Sequence, residues 1–280
     1  MKKLSIITVC LNNKEGLEKT IKSVAGQSFS DFEFLIVDGG STDGSYEVIQ
    51  KNLDHINAWV SEKDKGIYNA MNKGTSMANG EYCFFLNSDD ILASSNTLER
   101  IFNCNPGADI IYGNLAIMKN GRLKKALKYP RHLDAYSFYR TQSSIHQQAA
   151  LIKRKVFDND WFFKEEYNLI ADWVFFLEAI ILNKVSSQYY NIVFSVFTSE
   201  GISSNASDDL IKSTAQTKQS VLRKYFPSDE LERHEKRRRS DETKIRIAYR
   251  RVVAKLFLYV CLIRREINIK ESSNNRVNYN

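Results

Sequence analysis

Proline is scarce in this chain, three in 280 residues, which argues against long disordered linkers. Cysteine is equally sparse: Cys10, Cys83, Cys104 and Cys261 lie far apart, with no C-x-x-C pair and no histidine at ligand spacing. That pattern argues against a disulfide framework, and Cys10 and Cys83 sit in apolar runs that suit packed, reduced thiols of a cytosolic protein. Neither G-x-G-x-x-G nor G-x-x-x-x-G-K-[ST] occurs, so neither the dinucleotide fingerprint nor the P-loop is supported. Internal repeats and low-complexity tracts are absent. No apolar run is long enough for a membrane span. In "RRVVAKLFLYVCLIRR" (250–265), twelve residues lie between arginine pairs, about 18 Å of helix against roughly 30 Å of hydrocarbon. The N-terminal "MKKLSIITVCLNN" has an apolar stretch of only about eight residues and no small-residue cleavage site, so it reads as a first strand rather than a signal peptide.

What is present suits a soluble globular protein, with 43% hydrophobic and 26% charged residues and enough length for one large domain or two small ones. The formal net charge is +7, and the excess is local: from Arg233 to Arg251 nine Lys or Arg face three Asp or Glu. Such a segment implies an anionic partner surface, membrane or nucleic acid, or else a solvated helix face.

The first hundred residues alternate short apolar runs with helical patterns. Strands are predicted at 4–11, 32–38, 57–62 and 81–87, and helices at 15–27, 45–53 and 67–78. Near-continuous apolar strands separated by helices indicate a parallel sheet covered on both faces, whose ligand lies at the carboxyl ends of the strands. Polar residues gather at those ends: Asn12 and Asn13, Asp38, Glu62 and Asp64, and Asn87 to Asp90. The second half predicts a hairpin at 108–130 turning at Asn120-Gly121, a strand leading into a helix at 145–157, an apolar helix at 171–184, and a strand with a loop at 191–203. From Ser207 onward the pattern is helical.

"FFLNSDDIL" (84–92) drives an apolar strand into two adjacent carboxylates with nothing basic beside them in sequence. Asp89 and Asp90 could cap the following helix, but hard divalent cations take oxygen ligands, and a cation would offset their repulsion and clamp a diphosphate. "VDGGSTDGS" (37–45) permits a tight turn, with Asp38 placed to accept hydrogen bonds from a base or ribose.

"SIITVCLNN", "FLIVDGGSTDGS", "SEKDKGIYNAMNKG" and "GEYCFFLNSDDIL", in that order, resemble the inverting glycosyltransferases of family 2, most closely the bacterial enzymes of O-antigen, capsule and exopolysaccharide assembly. The resemblance continues through "IHQQAALIKRKVF" and "YNLIADWVFF" and covers about residues 1–205. It implies an α/β GT-A fold, Rossmann-like with a mostly parallel central sheet and helices on both faces, followed by a C-terminal helical extension. It also implies a nucleotide-diphosphate-sugar donor and a divalent metal, Mn²⁺ or Mg²⁺. The nucleotide is read as UDP, with GDP and dTDP as alternatives.

Carried over residue by residue, Thr8 and Asn12 line the nucleotide pocket, Asp38 binds uracil or ribose, and Asp64 lies beside the nucleotide. "NSD" (87–89) stands where the family has D-x-D, so Asp89 resembles the metal-binding aspartate, with Asp90 assisting and Asn87 and Ser88 facing the donor. Asn87 departs from the family pattern and weakens the charge of the metal site. Asp172 aligns with the catalytic base. His146, in an H-Q pair with Gln147, is placed near the diphosphate or acceptor, and Glu200 and Ser203 in a loop over the donor. Trp161 and Trp173 suit either an acceptor sugar or the core.

The expected organisation is a catalytic domain at 1–205, with a nucleotide-sugar half (1–115) and an acceptor half (116–205). A basic helical extension with a disordered tail follows at 206–280. The expected acceptor is a glycan or a polyprenyl-diphosphate-linked sugar. The basic arm 233–265 is then assigned to an anionic membrane surface at the inner leaflet rather than to nucleic acid, with packing on protein or in a homodimer as the competing reading. A sugar nucleotidyltransferase shares the general fold but needs a Gly-rich basic loop after the first strand, which "TVCLNNKEG" lacks. A non-catalytic scaffold with a decayed site is disfavoured by the retained Asp38, Asp64, Asp89 and Asp172.

Overall fold

The computed structural model describes residues 1–119, 121–141, 145–158, 162–198 and 207–245. In chain order its elements are β1 (Leu4–Cys10), α1 (Lys14–Ala25), β2 (Phe32–Asp38), α2 (Ser45–Lys51), β3 (Ala58–Ser61), α3 (Ile67–Met77) and β4 (Tyr82–Phe85). There follow β5 (Ile91–Leu92), α4 (Thr97–Phe102), β6 (Ile110–Lys119), β7 (Arg122–Leu127), α5 (Ala135–Thr141) and β8 (Ala150–Lys153). The last are α6 (Ala171–Phe176), β9 (Ser187–Thr198), α7 (Asp208–Tyr225) and α8 (228–245).

The strands form one sheet in the order β3-β2-β1-β4-β8-β6-β9-β5, with β7 paired to β6. The first four are parallel. They are short and apolar on both faces because helices cover both: β1 is buried at every position. Leu4, Ile6 and Cys10 pack with Leu17, Ile21 and Val24 of α1. On the opposite face α3 lies very close to β1, since a Cβ on Gly74 would stand 2.4 Å from Ile7 Cγ2. The chain runs outward from β1 to β2 and β3, then returns to β4 on the other side of β1. That reversal makes the carboxyl ends of β1 and β4 a topological switch point, where such sheets bind ligands.

Beyond β4 the sheet is mixed: β8 runs antiparallel to both β4 and β6, and β6 pairs in parallel with β9. The β6–β9 register slips at Gly113, where a Cβ would stand 2.2 Å from the Phe194 ring. The predicted strand-and-helix at 145–157 is instead a 3₁₀ turn, the central strand β8 and a second 3₁₀ turn, because pairing on both edges holds Ala150–Lys153 extended. The predicted helix at 171–184 starts as α and widens to a π-turn over Leu177–Leu182, with the Asn183 backbone and side-chain amides both donating to the Glu178 carbonyl.

The described residues fall into two compact units, divided after Lys224. The first includes α7 through Lys224. In the second, α8 sets three of its arginines beside acids of its own face: Arg238 contacts Glu235 and Glu242, Arg239 contacts Glu235, and Arg233 contacts Asp229. This is the pattern of a solvated helix. The apolar arm 250–265 lies outside the described residues, as do Trp161, Glu200 and Ser203.

Candidate active site

The ends of the four parallel strands form a connected polar rim. Asn12 (φ 49°) follows β1, and its Oδ1 accepts the Thr42 N–H at 2.8 Å while its own N–H donates to Ser41 Oγ at 2.8 Å. Asp38, at the end of β2, is fully buried. Its carboxylate accepts the Ser41 N–H (3.1 Å), the Ser41 hydroxyl and the Ser61 hydroxyl (2.6 Å). Asp38 thus orders the loop and the end of β3 from beneath. Gly39 lets Asp64 approach the loop closely, since a Cβ there would stand 2.4 Å from Asp64 Oδ2 and displace its side chain. Asp64 is half-buried, and its Oδ1 receives the Gly66 N–H at 2.8 Å. Asn13 caps α1 by accepting the Gly16 N–H and reaches Ser88 Oγ at 3.2 Å, which joins the β1 and β4 ends. Thr8 stands apart from the open rim: it is fully buried and donates to the Leu86 carbonyl at 2.6 Å, so its hydroxyl ties β1 to the chain after β4.

The two adjacent carboxylates point in different directions. Asp89 takes a left-handed conformation (φ 78°), and its Oδ1 meets Lys19 Nζ of α1 at 2.8 Å. Asp90 is 3% exposed and accepts Gln148 Nε2 at 3.0 Å. Burial pushes its carboxyl up to about 8; Asp89 adds to the rise, and Gln148 and the Thr198 backbone oppose it. The repulsion inferred from sequence is thus relieved without an added ion, since Lys19 pairs with one acid and burial favours the neutral form of the other. Asp90, expected to assist at the metal, faces Gln148 in the interior.

A second cluster gathers around Asp172, which opens α6 and is half-buried. Its Oδ1 accepts the Trp173 N–H at 2.8 Å and the Tyr68 hydroxyl at 3.1 Å. His146 Nδ1 lies 2.6 Å from the Tyr129 hydroxyl, and Lys218 of α7 sits 5.6 Å from the Trp173 ring centroid. Desolvation raises the Asp172 carboxyl, and His146, the Trp173 N–H, Tyr68 and Lys218 hold it down. Burial lowers His146 and favours a neutral imidazole. A carboxylate held partly dry yet near the Lys218 ammonium and hydrogen-bond donors is suited to accept a proton.

The protein-family model described as glycosyl transferase family 2 matches residues 5–161. The chain belongs to that family. A PGL/p-HBAD biosynthesis glycosyltransferase of Mycobacterium bovis is 30% identical over 207 residues, covering 72% of this chain and 78% of that one. A GalNAc(5)-diNAcBac-PP-undecaprenol beta-1,3-glucosyltransferase of Campylobacter jejuni is 36% identical over 129 residues, 45% of this chain and 42% of that one. The crystal structure of Staphylococcus aureus TarS 1-349 in complex with UDP-GlcNAc superposes with a TM-score of 0.61 at 21% identity, over 84% of this chain and 70% of that one. In a second crystal structure of S. aureus TarS the chain covers 43% of that chain. The protein is a glycosyltransferase with the GT-A fold.

A divalent cation is implied by the family resemblance. Among the described residues of this glycosyltransferase, no group of three or more His, Cys, Asp or Glu is arranged to hold one. Asn87 Oδ1 is a buried acceptor without a hydrogen-bond partner, and Asp89 remains 20% exposed. One carboxylate with one amide oxygen fits a shell that substrate phosphates complete. Lys19, Tyr68, Tyr129, Gln148 and Lys218 escaped the sequence reading. Tyr68 and Gln148 carried a signal, lying inside the family-like stretches "KGIYNAMNKG" and "IHQQAALIKRKVF".

Proposed function

We propose that this glycosyltransferase moves a sugar from a UDP-linked donor to a lipid-linked glycan acceptor in surface polysaccharide assembly, with inversion at the anomeric carbon. The observation that carries the reading is the half-buried Asp172 carboxylate, beside His146 and tied through Tyr68 to the helix that follows the donor rim. UDP-GlcNAc in TarS supports the donor class, and the undecaprenol-linked substrate named for the Campylobacter relative supports the acceptor class.

In this reading Asn12, Asp64 and Ser88 meet the nucleotide, and buried Asp38 holds Ser41 and Ser61 in place beneath it. Asn87 and Asp89 hold the divalent cation together with the diphosphate. When bound, that cation supplies Lewis-acid stabilisation of the leaving group. Asp172 takes the proton of the acceptor hydroxyl as its oxygen bonds to the anomeric carbon, while the bond to the diphosphate breaks on the opposite face. Among the described residues no helix is long and apolar enough to cross a membrane. A lipid-linked acceptor would be met at the inner leaflet, and the basic segment 233–265 is the candidate for that contact. Asp172→Asn tests the assignment: turnover should fall on the order of 10²–10⁴-fold with UDP binding retained. Turnover within a few-fold of wild type excludes Asp172 as the base.

A further inference from the structure

The Asp172 cluster and the donor rim lie on different parts of the chain, yet one helix touches both. We propose that Tyr68 is a positioning residue: through it α3 sets the position and ionisation of Asp172 relative to the donor rim. The proposal rests on the reading of Asp172 as base.

Four observations carry it. First, α3 is seated firmly on the sheet, with Ala70, Met71 and Thr75 buried and Gly74 in close approach to Ile7. Second, its entry is fixed to the rim: Asp64 Oδ1 accepts the Gly66 N–H at 2.8 Å, and the Lys65 N–H donates to Asn69 Oδ1 at 3.2 Å. Third, the next turns of α3 hold the segment that leads into α6. Asn72 Nδ2 donates to the Phe163 carbonyl at 2.8 Å and Asn72 Oδ1 accepts the Phe163 N–H at 3.0 Å. Asn69 Nδ2 donates to Glu165 Oε1 at 3.0 Å, and Tyr68 donates to Asp172 Oδ1 at 3.1 Å. Fourth, that segment does not hold its own shape: Asn168 breaks the helical geometry at φ 45°, ψ −125°, a conformation kept only where the surroundings hold it. The position of Asp172 is therefore set by α3 as well as by the local chain.

Three residues separate Asp64 from Tyr68, and the Asp64–Gly66 hydrogen bond fixes the turn that opens α3, so a short, tethered stretch of chain runs from the donor side to the base. The Tyr68 ring packs on Phe163 (centroids 5.5 Å apart), which leaves its hydroxyl aimed at the carboxylate. The groups facing Asp172 come from every neighbouring element: Tyr68 from α3, His146 before β8, Lys218 from α7 and the Trp173 N–H from α6 itself, with Tyr129 behind His146. Removing the Tyr68 hydroxyl deletes one of the interactions that favour the ionised carboxylate, and the remaining ring keeps the Phe163 contact.

The test is Tyr68→Phe in the full chain, read in two ways. Carboxyl ¹³C NMR of aspartate-labelled protein, with Asp172 assigned by its absence in Asp172→Asn, follows the titration without substrate. The expected result is a midpoint at higher pH in Tyr68→Phe than in wild type. With UDP-GlcNAc as probe, the acid limb of the turnover profile should move the same way, and kcat at neutral pH should fall on the order of 10-fold with KM little changed. A midpoint and acid limb identical to wild type overturn the proposal. Should Asp172→Asn turn over normally, the base reading falls, while the NMR midpoint still decides whether Tyr68 governs the carboxyl.

Discussion

Replacing Asp90 with asparagine should stabilise this protein at alkaline pH. Asp90 is 3% exposed, and burial lifts its carboxyl from 3.8 to about 8. Between those values the folded state holds a proton that the unfolded state releases. Stability is therefore greatest at low pH and declines as pH rises through the window from about 4 to about 8. The shift from 3.8 to about 8 is roughly four pH units, and at about 1.36 kcal/mol per unit the decline amounts to about 5 kcal/mol by pH 8. Asparagine keeps the neutral shape at every pH. Its Oδ1 can accept Gln148 Nε2, and its Nδ2 can serve Gln148 Oε1, a buried acceptor with no partner. Urea melts followed by tryptophan fluorescence, at intervals from pH 5 to 9, measure the effect. The advantage of Asp90→Asn over wild type should grow steadily with pH and be largest at pH 8 and above. A difference that does not vary with pH would refute the reasoning, because Asp90 would then be ionised throughout.

Two further outcomes are expected. Lys19→Gln removes an exposed partner of Asp89, so it should cost under about 1 kcal/mol of stability and tighten Mn²⁺-dependent UDP binding several-fold, as read by calorimetry. Gly74→Ala brings a methyl within 2.4 Å of Ile7 Cγ2 and should cost about 1–3 kcal/mol in a urea melt. By shifting α3 it should also lower turnover more than it weakens UDP binding.

The parallel half of the sheet and the residues at its strand ends were legible in the sequence because each strand is an apolar run that stops at polar side chains. "FEFLIVD" carries its own boundary, and β2 ends at Asp38 as predicted. What the sequence hid were pairings across long separations. Lys19 lies 70 residues from Asp89, Gln148 lies 58 from Asp90, and Tyr68 lies 104 from Asp172. No periodicity encodes such contacts, so "NSDD" looked like a pair of uncompensated charges. The inclusion of α7 in the first unit was equally hidden, since an amphipathic helix does not announce what it packs against, and with it went Lys218. Asp38 shows a related limit: a polar residue at a strand end does not reveal in sequence that it also anchors the loop beside it through Ser41 and Ser61.

The proposed activity requires a rim that accepts a nucleotide diphosphate with a cation held at Asp89. Calorimetric titration of UDP into the protein with and without Mn²⁺, repeated on Asp89→Ala, tests that most directly. The account predicts metal-dependent binding in wild type that the variant loses. UDP binding that is absent, or indifferent to both Mn²⁺ and Asp89, would contradict it and leave "NSDD" as a turn held by Lys19 and Gln148.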